Sequence, residues 1–281
     1  MKNWIRLLRP KHYLKNVLVL LPLVFSGRLG EGAVLRAALG AFAAFCLLSS
    51  AVYILNDLRD APADRENPAK RMRPIASGAV SVAGAAVLCV LLLCAVAALG
   101  LAFRFPLGGW ATLAAYLVVN VGYSLGLKNV PLLDVALLVS GFLLRMLCGA
   151  LVTGIEISGW LYLTVIAISF YLSLGKRRGE LRSRGESSRA VLKYYNEAFL
   201  DKNMHTCLTL AIVFYSLWSV NSGHEHMVWT VPLVILLCMK YSMTVEGSSD
   251  GDPIEVIYQD KVLMLLAAVF AGLTLGLIYL C

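Results

Sequence analysis

The chain has 281 residues, of which 59% are hydrophobic and only 15% charged, and its mean hydropathy is +0.75. A soluble domain of ordinary composition carries about 25% charged residues, so a water-soluble globular fold is excluded, and length priors for soluble chains do not apply. The formal net charge of +8 gathers in a few loops between apolar runs, which suits a membrane surface and anionic small molecules rather than nucleic acid.

The N-terminal basic residues and the apolar run "VLVLLPLVF" imitate a secretory signal. No clear small-residue cleavage site follows and many further apolar segments do, so this N-terminus is expected to be retained. Runs of about 20 apolar residues, the length of a bilayer-crossing helix, recur along the chain. Nine spans are predicted, over about 14–27, 33–55, 80–102, 107–127, 131–151, 159–174, 204–222, 227–245 and 261–280. The first and sixth are short, as for segments that tilt or end at a polar site. The expected fold class is all-α: a single polytopic membrane domain over residues 1–281, a bundle of about nine transmembrane helices.

Basic residues set the orientation. The N-terminus carries Lys2, Arg6, Arg9, Lys11 and Lys15, and the loop after the second span carries Arg59, Arg65, Lys70, Arg71 and Arg73. The loop after the sixth span is richest, from Lys176, Arg177 and Arg178 to Lys202. The N-terminus is therefore expected in the cytoplasm and the C-terminus outside, in a plasma membrane. Catalytic loops are expected at 56–79 and 175–203, facing the cytoplasm. The seven cysteines lie in or beside apolar segments with no C-x-x-C pair, so they read as small hydrophobes.

The second span runs into "YILNDLRDAPADRENPAKRMRPIASG". On a continuing helix Asn56, Asp60 and Asp64 are spaced i, i+4, i+8, and Asp57 projects from the same side. Pro62 is expected to tighten or break the last turn, leaving the third acid to a loop. Clustered carboxylates repel, so something positive compensates them. Arg59 and Arg65 are near in sequence, but a divalent cation suits the regular spacing better. Mg²⁺ takes one or two carboxylates and completes its shell with water and phosphate oxygens. Lys70, Arg71 and Arg73 then supply cations for phosphate. Acids for metal beside bases for phosphate make a diphosphate site; a solvated positive-inside loop is the plain alternative.

Arg145 lies 11 residues beyond Asp134, about 16 Å along a helix, near mid-bilayer. An arginine there costs about 2.5–3.5 kcal/mol unless it faces a polar cavity. It is either a phosphate ligand at the base of a cavity or half of a structural pair with Asp134 or a carbonyl cluster. Arg182, Arg184 and Arg189 read as positive-inside charge. Asp250, Asp252 and Glu255 read as a solvated loop, with a site-closing role as the alternative, and His224, Glu225 and His226 read as an exposed loop.

"NDLRDAPAD" followed by "KRMRPIASG" resembles the first aspartate-rich motif of the UbiA superfamily of intramembrane prenyltransferases, and the predicted helix count fits that superfamily. Its usual prenyltransferases carry a second aspartate-rich motif after the sixth span. Here that place reads "YLSLGKRRGELRSRGE", with Lys176, Arg177 and Glu180 in place of paired aspartates. This departure resembles the branch of polyprenyl-phosphate phosphoribosyltransferases, of the decaprenyl-phosphate type in actinobacteria. Further segments agree: "LRPKHYLKN" with Lys15 and Asn16, "YSLGLKNVPLLDV" with Tyr123, Lys128 and Asp134, "SGFLLRMLCGA", and "GDPIEVIYQDKVL". His12 falls where an amide is commoner and is given no role.

The resemblance implies that Asp57, Asp60 and Asp64 are catalytic and hold Mg²⁺. It implies substrate contacts from Lys15, Asn56, Lys70, Arg71, Arg73, Tyr123, Lys128, Arg145, Lys176, Arg177 and Glu180. The donor would be 5-phosphoribosyl 1-diphosphate and the acceptor a long-chain polyprenyl phosphate. Diphosphate would leave, and the product would feed a cell-wall arabinan or related glycan precursor. The alternative is transfer of an isoprenoid from a prenyl diphosphate to an aromatic or other acceptor, which the missing second aspartate motif disfavours. A transporter or flippase leaves the acid spacing unexplained. A homo-oligomer is left open.

Overall fold

A computed structural model describes residues 2–67, 70–184, 190–224, 226–246 and 253–280. Arg189, Glu225, Asp250, Asp252 and Cys281 lie outside the described residues, as does the side chain of Arg184. The described secondary structure is helical: α1 (Lys2–Leu8), α2 (Leu21–Phe25), α3 (Gly32–Glu66), α4 (Val82–Ala102), α5 (Leu107–Ser124), α6 (Leu133–Thr153), α7 (Gly159–Arg184), α8 (Glu197–Asn221), α9 (Val231–Glu246), α10 (Pro253–Gln259) and α11 (Lys261–Tyr279). A 3₁₀ segment, Pro10–Val19, joins α1 to α2.

Two sequence expectations change. The predicted first span is not one continuous helix but the 3₁₀ segment followed by the five residues of α2. The charge-rich ends of the second and sixth spans are not loops at their start. α3 runs through Pro62 to Glu66 and α7 runs on to Arg184. Pro62 removes the donor to one carbonyl without ending the helix; Asp57 before it and Asp64 after it are pinned to a common arginine. Side-chain caps fix helix starts elsewhere: Ser81 accepts from the Gly84 N–H, Asn196 from Phe199, and Asp260 from Val262 and Leu263.

Among the described residues, six helical stretches are long and apolar enough to cross a bilayer: α3, α4, α6, Gly159–Arg182 of α7, Met227–Glu246 and α11. The most apolar stretch of α3 is 67% buried inside the protein and that of α11 only 17%, so α3 is packed against protein along most of that stretch and α11 is not. This is a multi-pass membrane protein.

The chain forms two compact units. The first comprises Met1–Ser124 and Leu144–Ile155, the second Leu125–Leu143 and Glu156–Cys281. In the first, α3 packs through Ala44, Phe45, Leu48 and Val52 against Val96, Tyr116 and Cys148, while Ile54 and Ala61 meet Ile75 and Val80. In the second, Tyr171 and Leu174 of α7 pack with Leu200 and Met204 of α8 and with Tyr241 and Val245 of α9.

Candidate active site

The last turns of α3 carry the acidic motif of the first unit. Asp57 and Asp64 are each only 3% exposed. Arg73, on the turn that follows α3, places one nitrogen between them, Nη1 lying 3.2 Å from Asp57 Oδ1 and 2.7 Å from Asp64 Oδ2. Arg9 donates from Nη2 to the same Asp57 oxygen at 2.6 Å, with its guanidinium over the Tyr53 ring at 5.0 Å. Arg9 has φ 53° and ψ 56°, a left-handed conformation that costs a side-chain-bearing residue about 1–2 kcal/mol. Strain of this kind gathers where a side chain is needed in one place. Asn56 accepts a hydrogen bond from Ser124 Oγ at the end of α5.

Deeper on α6 of the same unit, Arg145 is buried. Its Nε donates to Asn16 Oδ1 at 2.7 Å and its Nη2 to the Tyr116 hydroxyl at 2.9 Å. Its guanidinium lies over Tyr116 and Phe45 at 4.8 and 5.4 Å. Asn16 in turn donates to Ser49 Oγ at 3.1 Å. The 3₁₀ segment can deliver Asn16 because of Gly149, one turn beyond Arg145, where a methyl group would overlap the Val19 carbonyl oxygen. Gly149→Ala is expected to cost about 1–3 kcal/mol, as overpacking of a close backbone approach does. A lowered midpoint of thermal unfolding in detergent checks it.

In the second unit Asp134 opens α6 and is wholly buried. It accepts from Arg177 Nε at 2.6 Å and from the Tyr195 hydroxyl at 2.6 Å. The Leu132 N–H donates to the same phenol oxygen at 2.7 Å, and Arg177 Nη1 reaches Glu180 at 2.5 Å. Burial, reinforced by the bond to Asp134, pushes the Tyr195 phenol up to about 12. Arg178, the next residue, pairs with Asp201.

Of the predicted set, Asp57, Asp64 and Arg73 meet in one cluster. Asp60 is half-buried one turn beyond Asp57, and Arg71 is exposed. Lys15, Lys70 and Tyr123 in the first unit, and Lys128 and Lys176 in the second, are half-buried. Asp134, which the sequence offered as one alternative partner for Arg145, pairs with Arg177. Arg177, expected among the phosphate ligands together with Glu180, is 0% exposed and spans Asp134 and Glu180. A guanidinium without water access is most stable where carboxylates neutralise it, so it ties α7 to the start of α6. Arg9, Tyr116, Ser124 and Tyr195 were missed. For Arg9 the available signal was an arginine directly before Pro10, a position where the backbone is restricted.

The acidic pair suits a hard cation. Two buried carboxylates already converge on a single cationic nitrogen. Among the described residues no three His, Cys, Asp or Glu side chains gather closely enough to hold an ion. The three-aspartate set expected from the motif is thus two converging acids with Asp60 alongside, which matches the one or two carboxylates that Mg²⁺ takes when phosphate oxygens complete its shell.

A model of the UbiA prenyltransferase family matches residues 19–258. The chain is 35% identical over 280 residues to a decaprenyl-phosphate phosphoribosyltransferase of Corynebacterium glutamicum, covering 94% of this chain and 82% of that protein. It is 32% identical over 292 residues to one of Mycolicibacterium smegmatis, covering 97% and 91%. In fold it is similar to a UbiA homolog from Archaeoglobus fulgidus bound to GPP and Mg²⁺, with a TM-score of 0.75 at 17% identity over 98% of this chain and 99% of that one. With its helical fold, its acidic α3 terminus and a family match across most of its length, the chain belongs to the UbiA prenyltransferase family.

Proposed function

We propose that the protein transfers the 5-phosphoribosyl group of 5-phosphoribosyl 1-diphosphate to a long-chain polyprenyl phosphate of the decaprenyl type, releasing diphosphate. The observation that carries this reading is the division of charge along the chain. The end of α3 holds paired carboxylates for a metal diphosphate. The end of α7, where prenyltransferases of the superfamily have a second acidic motif, carries Lys176, Arg177 and Glu180 in place of paired aspartates. Near-full-length similarity to decaprenyl-phosphate phosphoribosyltransferases supports the same choice.

From the first unit, Asp57 and Asp64, with Asp60, would hold Mg²⁺, and Lys70, Arg71 and Arg73 would take diphosphate oxygens. Mg²⁺, when bound, supplies positive charge against the departing diphosphate. Asn56 would orient a carboxylate, and Lys15, Tyr123 and Arg145 would contact substrate. From the second unit, Lys128, Lys176 and Arg177, the last beside Glu180, would suit a phosphate monoester. The bond from C1 to the diphosphate oxygen breaks, C1 passes through an oxocarbenium-like state, and a lipid phosphate oxygen forms the new bond. That oxygen is already anionic, so no general base is needed. The chemistry would lie on the cytoplasmic side of the plasma membrane, with the N-terminus inside, and the product would feed a cell-wall arabinan or related glycan precursor.

Membranes containing the protein, given Mg²⁺, polyprenyl phosphate and radiolabelled 5-phosphoribosyl 1-diphosphate, are expected to form a labelled lipid that extracts into organic solvent. No labelled lipid at several chain lengths, together with transfer from farnesyl or geranylgeranyl diphosphate to an acceptor, would replace this reading by prenyl transfer.

A further inference from the structure

Asp57 Oδ1 receives two cationic nitrogens, from Arg9 and Arg73, and the same Arg73 nitrogen also holds Asp64. Both acids are almost wholly buried, whereas the Arg9 and Arg73 side chains are 23% and 30% exposed. A divalent cation placed on those oxygens would stand within contact distance of a guanidinium, and like charges that close in a partly desolvated site repel strongly. The arginines have an outward route and the acids do not. The arginines must therefore move when the cation arrives.

Resting on the metal–diphosphate reading above, we infer that Arg73, seconded by Arg9, is a resident counter-ion that a free divalent cation cannot easily displace. The two arginines yield the acidic pair only when a diphosphate arrives with the cation and gives them new oxygens to bind. Arg73 is thus a positioning residue that tunes metal affinity. It keeps the site closed to bare divalent ions and admits the metal together with the donor's diphosphate. Without Arg73, two buried carboxylates share a single remaining guanidinium, which pairs with Asp57 alone, and bare metal gains what the arginine loses. Binding couplings of this kind are reciprocal: whatever factor Arg73 imposes against bare metal, the metal imposes on the Arg73 contact.

The test uses the full chain in detergent and Mn²⁺ alone, with free aquated Mn²⁺ counted by electron paramagnetic resonance. Arg73→Gln is expected to bind Mn²⁺ at least tenfold more tightly than wild type, and Arg9→Gln to shift in the same direction by less. With inorganic pyrophosphate added under saturating Mn²⁺, Arg73→Gln is expected to bind radiolabelled pyrophosphate more weakly than wild type. The wild-type protein carries an arm of its own, since it should bind labelled pyrophosphate at least tenfold more tightly in saturating Mn²⁺ than in EDTA. Equal or weaker Mn²⁺ binding by both glutamine variants overturns the inference and leaves the proposed function standing. Equal pyrophosphate binding by wild type in Mn²⁺ and in EDTA likewise overturns it. Absence of Mn²⁺ binding in all three proteins, with and without pyrophosphate, overturns both.

Discussion

Arg177→Met is expected to lower the unfolding free energy by about 3–5 kcal/mol, the loss found when one partner is removed from a buried ion pair. Arg177 and Asp134 are both 0% exposed. Methionine fills much of the arginine's volume, so the loss comes from charge and not from a cavity. What remains is a buried carboxylate with the Tyr195 hydroxyl as a donor, too little to replace a guanidinium. Glu180, on the next turn of α7, also loses its 2.5 Å partner. The double variant Arg177→Met with Asp134→Leu removes the orphaned charge and is expected to recover most of the loss, because buried ion pairs are often matched by apolar pairs of similar size. Unfolding in mixed micelles measures both. A single-variant loss under about 1 kcal/mol would mean that water reaches Asp134. Tyr195 adds a pH signature. Its phenol rises from an ordinary value of about 10 to about 12 in the folded protein. The stability from its bond is complete below pH 10, and fades as the pH climbs from there towards 12, where the unfolded chain ionises first.

The helical class and the acidic end of α3 could be read from the sequence because both are local signals. Hydropathy reports runs of about 20 residues, and i, i+4, i+8 spacing reports one helix face. The extension of α7 to Arg184 could not be read in the same way. Hydropathy stops at "GKRRGELRSR" because those residues are charged, although charged residues are good helix formers. The ion pair of Arg177 with Asp134 was not legible either, because the two are 43 positions apart and no local pattern joins them. Arg9 was hidden for the same reason, being 48 positions from Asp57. The apolar run after Lys15 looked like a span, yet ten residues of it and its flank are 3₁₀. What holds them there is the absence of a side chain at Gly149, a contact between distant parts of the chain.

Asp57→Asn is expected to reduce the proposed phosphoribosyl transfer by about 10³-fold, at the upper end of the loss found when one preorganised electrostatic group is removed from a site where charge develops. The amide keeps the shape and an acceptor oxygen, so packing around it, including Ile54 and Ala61 on the neighbouring turns of α3, is undisturbed. Its negative charge is gone, and with it half of the converging pair on which Arg73 now sits. Asp64 is then the one carboxylate left in the cluster while Arg9 and Arg73 both remain, so the cluster carries net positive charge that opposes a cation. Raising Mg²⁺ should therefore not restore the rate, which separates loss of the site from simple weakening. Arg9 loses its ion pair and keeps only a hydrogen bond to the amide oxygen, so some stability is lost as well. Activity is therefore compared at a temperature where both proteins elute as folded, monodisperse species. Wild-type turnover in Asp57→Asn would remove the carboxylates of α3 from the chemistry and leave them as partners of Arg9 and Arg73 alone.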